Sequence, residues 1–175
     1  GTVSIYWRLG PVSGKQNLKV EAPGLQGSPR VVSATASPAS PFRIFAIAGD
    51  GQSGVVKTRL ANPLTARVAD RYGNPVADHP VQFHLLAGGG SLNSSGQNQY
   101  NTKTNSAGAA SVELILGDVA GVNVSRVEAV SQYGSRPLTG SPLIFYASAT
   151  AGPPHFFYIL SGKQQYGIAG SLLPD

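Results

Sequence analysis

Apolar and polar residues alternate with a period of two along much of this chain. Leu64, Ala66 and Val68 alternate with Thr65, Arg67 and Ala69, and Val81, Phe83 and Leu85 with Gln82, His84 and Leu86. Val112, Leu114 and Leu116 alternate with Glu113 and Ile115, and Leu143, Phe145 and Ala147 with Ile144 and Tyr146. Val124 and Val127 surround Ser125 and Arg126. Successive side chains of a strand point to opposite faces, so this rhythm marks strands with one face in a core. No segment carries an amphipathic helical stripe with caps. The pattern predicts strands at residues 42–48, 64–70, 81–87, 99–104, 109–116, 122–130 and 142–149. Between them lie Arg71-Tyr72-Gly73-Asn74-Pro75, Gly88-Gly89-Gly90 and Asn105-Ser106-Ala107-Gly108. Each supplies turn chemistry: glycine for positive φ, Asn for side-chain turns, proline to fix φ. Strands of this number and spacing imply two packed antiparallel sheets, an all-β sandwich.

The pattern also repeats. At an offset of 107, Gly1, Ser4, Leu9, Gly10, Gly14, Val20, Glu21 and Ala22 meet Gly108, Ser111, Leu116, Gly117, Gly121, Val127, Glu128 and Ala129. At an offset of 113, Gly27-Ser28-Pro29 meets Gly140-Ser141-Pro142, and Pro41, Gly49 and Gly54 meet Pro154, Gly162 and Gly167. The change of offset falls within residues 23–139 and reads as a difference in loop length. A period of about 110 residues is too long for a solenoid unit and suits one whole sandwich domain. The expected organisation is the C-terminal half of one unit at residues 1–38, a complete unit at 39–151, and the start of another at 152–175. Residues 1–37 would hold three strands and residues 155–158 the first strand of the next unit. The junctions at residues 36–41 and 149–154 are short and proline-bearing, which restricts bending. The phase of the repeat leaves two expectations open: a window on a longer polypeptide, or halves completed by strand exchange between copies.

Composition narrows the class. The chain has 175 residues, 22 glycines, 13 prolines and 41% apolar residues, too apolar for a disordered tail. It has no cysteine, which excludes disulfides and thiolate chemistry. The net charge of +5 comes from scattered cations, not a run, so nucleic acid is not an expected partner. No apolar run approaches the ~20 residues that span a bilayer, so membrane insertion of this segment is not expected.

The motif order points to a family. Leu64 through Val76 reads LTARVADRYGNPV, followed by Val81-Gln82-Phe83, Gly88-Gly89-Gly90-Ser91-Leu92, Thr104-Asn105-Ser106-Ala107-Gly108-Ala109-Ala110 and Val127-Glu128-Ala129. This resembles the bacterial immunoglobulin-like repeat of the invasin/intimin type (group 1). The pattern there is D-x-x-G-N-P-V, a V-x-F strand, a glycine-rich loop, T-[DN]-x-x-G-x-A and V-x-A. The chain departs from it at Asn105, where Asp is more usual, and in the long stretch 50–63 between the first two strands. The resemblance implies an immunoglobulin-like antiparallel β-sandwich in tandem repeats. Asp70, Gly73, Asn74, Pro75, Asn105 and Gly108 are then expected to be structural turn residues. Asp70 can accept backbone N–H groups, Gly73 supplies positive φ, and Pro75 biases Asn74 to extended backbone.

Catalytic chemistry is not evident. The acids are scattered, and no nucleophile elbow, P-loop or dinucleotide fingerprint occurs. Gly88-Gly89-Gly90 lacks the following helix or lysine of a phosphate loop. His79, His84 and Asp78 are metal-ligand types without a third ligand at matching spacing, and the histidines are expected to be solvent-exposed. Most aromatics fall in predicted strands and are expected in the core or between sheets. No cofactor is expected; Ca²⁺ at a domain junction is the one alternative, and the junctions carry no acids to hold it.

Two functional classes follow. In the first, the chain is a structural segment of an extracellular tandem rod or filament of a bacterial adhesin or surface protein, spacing or assembling an adhesive element. Its partners would be neighbouring immunoglobulin-like repeats of the same or adjacent chains. In the second, sandwich loops bind a carbohydrate or a host protein. An enzyme is not expected. Both classes place the chain outside the cell or on the bacterial surface.

Overall fold

The computed structural model describes residues 2–161, 164–170 and 172. It is all-β, with a short 3₁₀ turn at Asn93–Ser95 as the one helical piece among the described residues. The strands are β1 (Gly14–Val20), β2 (Arg30–Ala36), β3 (Pro41–Ala48), β4 (Gln52–Val55), β5 (Leu64–Asp70), β6 (Pro80–Ala87) and β7 (Ser91–Leu92). They continue with β8 (Gln99–Lys103), β9 (Ala109–Val112), β10 (Leu114–Ile115), β11 (Gly121–Val130), β12 (Gln132–Tyr133), β13 (Arg136–Pro137) and β14 (Leu143–Thr150). One sheet has the order β3-β5-β9 and the other β4-β14-β11-β6-β8. Neighbours are antiparallel except β4, which runs parallel beside β14.

The alternation explains the sandwich. Leu64, Ala66 and Val68 of β5 and Ala110 and Val112 of β9 are buried from one sheet. Val81 and Phe83 of β6, Val127 and Ala129 of β11, and Phe145, Ala147 and Ala149 of β14 are buried from the other. They form one apolar cluster, with the Phe83 and Phe145 rings tilted at 40° and 6.5 Å apart. That geometry lies within the favourable range for aromatic pairs.

Several expectations need correction. The strand expected at residues 109–116 breaks at Glu113, because Asn93 bonds both its N–H and its carbonyl. Beyond the break, β10 leaves β5 and pairs with β7. The stretch 50–63 contains β4, whose Gln-Ser-Gly-Val sequence has too little apolar alternation to be seen. In β11 the ladder slips between Gly121 and Ser125, so Ser125, Val127 and Ala129 face inward and Val124 does not share their phase. Residues 2–9 and 152–161 form no ladder, contrary to the strands expected there. A strand needs a hydrogen-bonded neighbour. In the sandwich the corresponding segments, β9, β10 and β3, pair with β5 and β7, and residues 2–9 and 152–161 have no such neighbour among the described residues. Gly162, one of the repeat positions, lies outside the described residues.

β1 and β2 form a separate antiparallel hairpin. Its register pairs Gly14 with Ala36, and the β11/β14 ladder pairs Gly121 with Ala149. These pairs stand at the sequence offsets of 107 and 113. In the connections, Ser28 N–H donates to the Leu25 carbonyl and Ser141 N–H to the Leu138 carbonyl. Both Ser28-Pro29 and Ser141-Pro142 are cis. The hairpins differ in burial: Val20, Leu25 and Val32 are exposed, whereas Val127, Leu138 and Phe145 at the matching positions are buried.

Candidate functional site

The turn after β5 is the most polar buried feature of the molecule. Asp70 ends the strand with no exposed surface, and its carboxylate accepts four hydrogen bonds. Oδ1 takes the N–H groups of Tyr72 and Asn74, each at 2.9 Å. Oδ2 takes the Ala39 N–H and the Asn74 Nδ2, each at 2.8 Å. Gly73, at φ 90°, turns the chain so that its own N–H reaches the Asp70 carbonyl. Burial pushes the Asp70 carboxyl up, but the bonds from Asn74, Ala39 and Tyr72 outweigh it and hold the pKa below the ordinary value.

Asn74 extends this hub outward. Its Nδ2 donates to the Pro11 carbonyl at 2.7 Å as well as to Asp70, and its Oδ1 accepts the Ser13 N–H at 2.8 Å. One carboxamide therefore bridges the sandwich to the loop that leads into β1. The Ala39 bond ties down the segment between β2 and β3 at the same carboxylate. The segment 11–39 is thereby attached to the sandwich by three hydrogen bonds around one turn.

The second turn motif packs beneath the first. Asn105 Oδ1 accepts the N–H groups of Ala107 and Ala109, and the Gly108 N–H closes on the Asn105 carbonyl. Gly108 lies at φ 71°, and its carbonyl receives the Val68 N–H. A Cβ there would stand 2.6 Å from the Val68 carbonyl and 3.0 Å from the Pro75 ring. Asp70, Gly73, Asn74, Pro75, Asn105 and Gly108 thus gather at one end of the sandwich. Thr104 joins them: its hydroxyl donates to the Val76 carbonyl and accepts the His79 N–H.

His79 is buried, against the expectation of exposure. The Thr104–His79 main-chain pair and the β12 segment enclose it; burial lowers its pKa, partly offset by the Gln132 main chain. His84 is half-buried and meets Glu128 on the neighbouring strand at 3.3 Å. The expectation of buried aromatics holds for Phe83 and Phe145, but Phe42, Tyr72, Tyr133, Tyr146 and residues 156–158 are exposed. Phe42 and Tyr133 instead line a groove of about 510 Å³ with Pro41, Arg71, Arg136 and Pro137.

Sequence reasoning missed Pro11 and Ser13. The signal was the repeat itself, which aligns their loop with residues 118–120, but an offset does not say what a loop touches. No protein-family model and no curated protein matches the chain.

Proposed function

We propose that the chain is a structural segment of an extracellular array of immunoglobulin-like sandwiches on a bacterial surface, spacing or assembling an adhesive element. The observation that carries this reading is the Asn74 bridge, which holds the body before the sandwich through main-chain groups. Held in that way, neighbouring bodies keep one orientation and can transmit a position along a rod. The strand pairing supports the immunoglobulin-like assignment: the first strand pairs with the second, its continuation β4 crosses to the other sheet, and β6, β11 and β14 lie together there. The equivalent Gly14–Ala36 and Gly121–Ala149 pairs support the tandem repeat, and so does the apolar face of β1/β2, which carries core positions of the sandwich pattern; beyond that first pair the slip in β11 puts the two ladders out of register.

Two measurements test it. Backbone relaxation should give amides of β2 and β14 one common correlation time; faster tumbling of β2 would overturn the rod. Antibodies to the sandwich should label intact producing cells; labelling only after lysis would overturn the surface placement.

A second reading, a carbohydrate- or protein-binding module, is favoured by the groove of Phe42, Tyr133, Arg71 and Arg136. Aromatic faces and two guanidinium groups suit an acidic sugar or peptide. Loss of cell adhesion on Arg71→Ala/Arg136→Ala, with stability unchanged, would favour it over the spacer.

A further inference from the structure

The contact at Asn74 has a counterpart at the far end of the sandwich. Residues 9–14 read Leu-Gly-Pro-Val-Ser-Gly and residues 116–121 read Leu-Gly-Asp-Val-Ala-Gly. Each loop leads into a strand at its last glycine, Gly14 for β1 and Gly121 for β11. Each glycine then pairs with an alanine, Ala36 or Ala149, so the pair beside the first loop is reproduced at the second, although β11 slips register beyond it and β1 does not. The groups used at the first loop are main-chain ones: the Pro11 carbonyl, the Ser13 N–H and, beyond β2, the Ala39 N–H. The offsets place the Asp118 carbonyl, the Ala120 N–H and the Gly152 N–H at these positions. The residue changes leave all three groups in place, because Ala120 and Gly152 keep their N–H. Asp118 and Ala120 are exposed, and among the described residues none of the three groups has a hydrogen-bond partner. Val119 between them is exposed, like Val12 in the occupied loop. The second loop is braced by the Lys57 N–H on the Gly117 carbonyl, where Gln16 braces the first.

We propose that Asp118, Ala120 and Gly152 form a docking site for a turn of the Asp-x-x-Gly-Asn-Pro type carried by a following sandwich. The Asn carboxamide of that turn would donate to the Asp118 carbonyl and accept the Ala120 N–H. Its Asp carboxylate would accept the Gly152 N–H. This inference rests on the array reading and adds to it the chemistry of the joint: each sandwich offers a main-chain socket at one end and the Asp70/Asn74 turn at the other.

The test is a chain in which residues 1–152 run directly into a second copy beginning at Ser40, which preserves the linker spacing. Amide hydrogen exchange is read by NMR in this chain and in the parent. The expected result is a slowing of about tenfold or more at Ala120 and Gly152 in the extended chain only. Asn74→Ala in the second copy should abolish the slowing at Ala120. Ala120→Pro in the first copy, which leaves the turn untouched, should weaken the slowing at Gly152. No slowing while the second copy shows parent-like core protection would overturn the proposal. Slowing that depends on protein concentration would overturn the arrangement within one chain. The parent separates the two readings. If Asn74→Ala speeds exchange at Ser13 there but Ala120 is never protected, only the socket fails. If Ser13 is not protected by Asn74 in the parent, the array reading fails with it.

Discussion

Asp70→Asn tests whether the buried carboxylate organises the joint. The substitution is nearly isosteric, so packing is preserved and only hydrogen-bond polarity changes. An asparagine oxygen can keep the Tyr72 and Asn74 N–H groups that Oδ1 now accepts. Its amide nitrogen must then face the Ala39 N–H and the Asn74 Nδ2, both of them donors. Two donors lose their acceptor at a buried site, and each such loss costs roughly 1–3 kcal/mol. The expected destabilisation is therefore about 3 kcal/mol at pH 7. With a urea m-value of roughly 1.5 kcal/mol/M, the unfolding midpoint falls by about 2 M.

Far-UV circular dichroism is the suitable probe, because Trp7 lies outside the sandwich strands. The sign of the pH effect follows from the lowered pKa of Asp70. Below the unfolded-state pKa of roughly 4, the unfolded chain binds a proton that the folded chain does not, so the carboxylate's contribution shrinks. It is fully present above that pH and lost as pH falls through the folded pKa. The gap between wild type and Asp70→Asn should thus narrow in acid. A midpoint change under about 0.5 M, or a gap independent of pH, would refute the reasoning.

Five other substitutions bear on the same structure. Gly73→Ala meets only Arg43 at 3.7 Å and should cost about 1 kcal/mol for its positive φ, whereas Gly108→Ala also meets the Val68 carbonyl and should cost about 3 kcal/mol. Equal midpoints for the two in urea would contradict the close approach of the turns. His79 has a lowered pKa, so the unfolded state takes up the proton first and stability should fall as pH drops below ~6.5; His79→Gln should flatten midpoints measured between pH 7 and 5. Val32→Ser should change sandwich stability by less than about 0.5 kcal/mol, while Phe145→Ser at the matching position should cost 3 kcal/mol or more, roughly. Comparable losses would mean that β1/β2 shares the core.

How far the sequence carried can be traced residue by residue. Period-two alternation located β3, β5, β6, β8, β9, β11 and β14 to within a few residues, because each buries one face in the same core. It missed β4, which is held by its parallel ladder to β14 and not by an apolar face. It extended β9 through Glu113 because Val112, Leu114 and Leu116 are all buried, although Asn93 redirects the chain between them, its side-chain oxygen accepting the Glu113 N–H and its own N–H donating to the Glu113 carbonyl. The turn residues were legible through their local chemistry, since Asp, Gly and Asn act within five positions of one another. Their long-range contacts were not: Pro11 to Asn74 spans 63 residues, and Gly108 meets Pro75 through space. Burial of His79 was also hidden, because it depends on Thr104 and on the β12 segment arriving from elsewhere in the chain.

Asn74 shows why a joint of this kind can be both weak and specific. Its two Nδ2 hydrogens are divided between Asp70 inside and Pro11 outside, and its oxygen is given to Ser13. An aspartate could not donate at all, and an alanine would leave Asp70 short of one partner. The outward pair contributes only about 1–3 kcal/mol net, far less than a stable interface between separate proteins requires. The proline-bearing segment 36–41 removes that requirement by holding the loop beside the turn, where its effective concentration is high. The two bonds then need only select one orientation from the few that the linker allows. Because they use main-chain groups at Pro11 and Ser13, loop side chains can vary without loss of the joint. Residue 13, which must supply the N–H, cannot be proline.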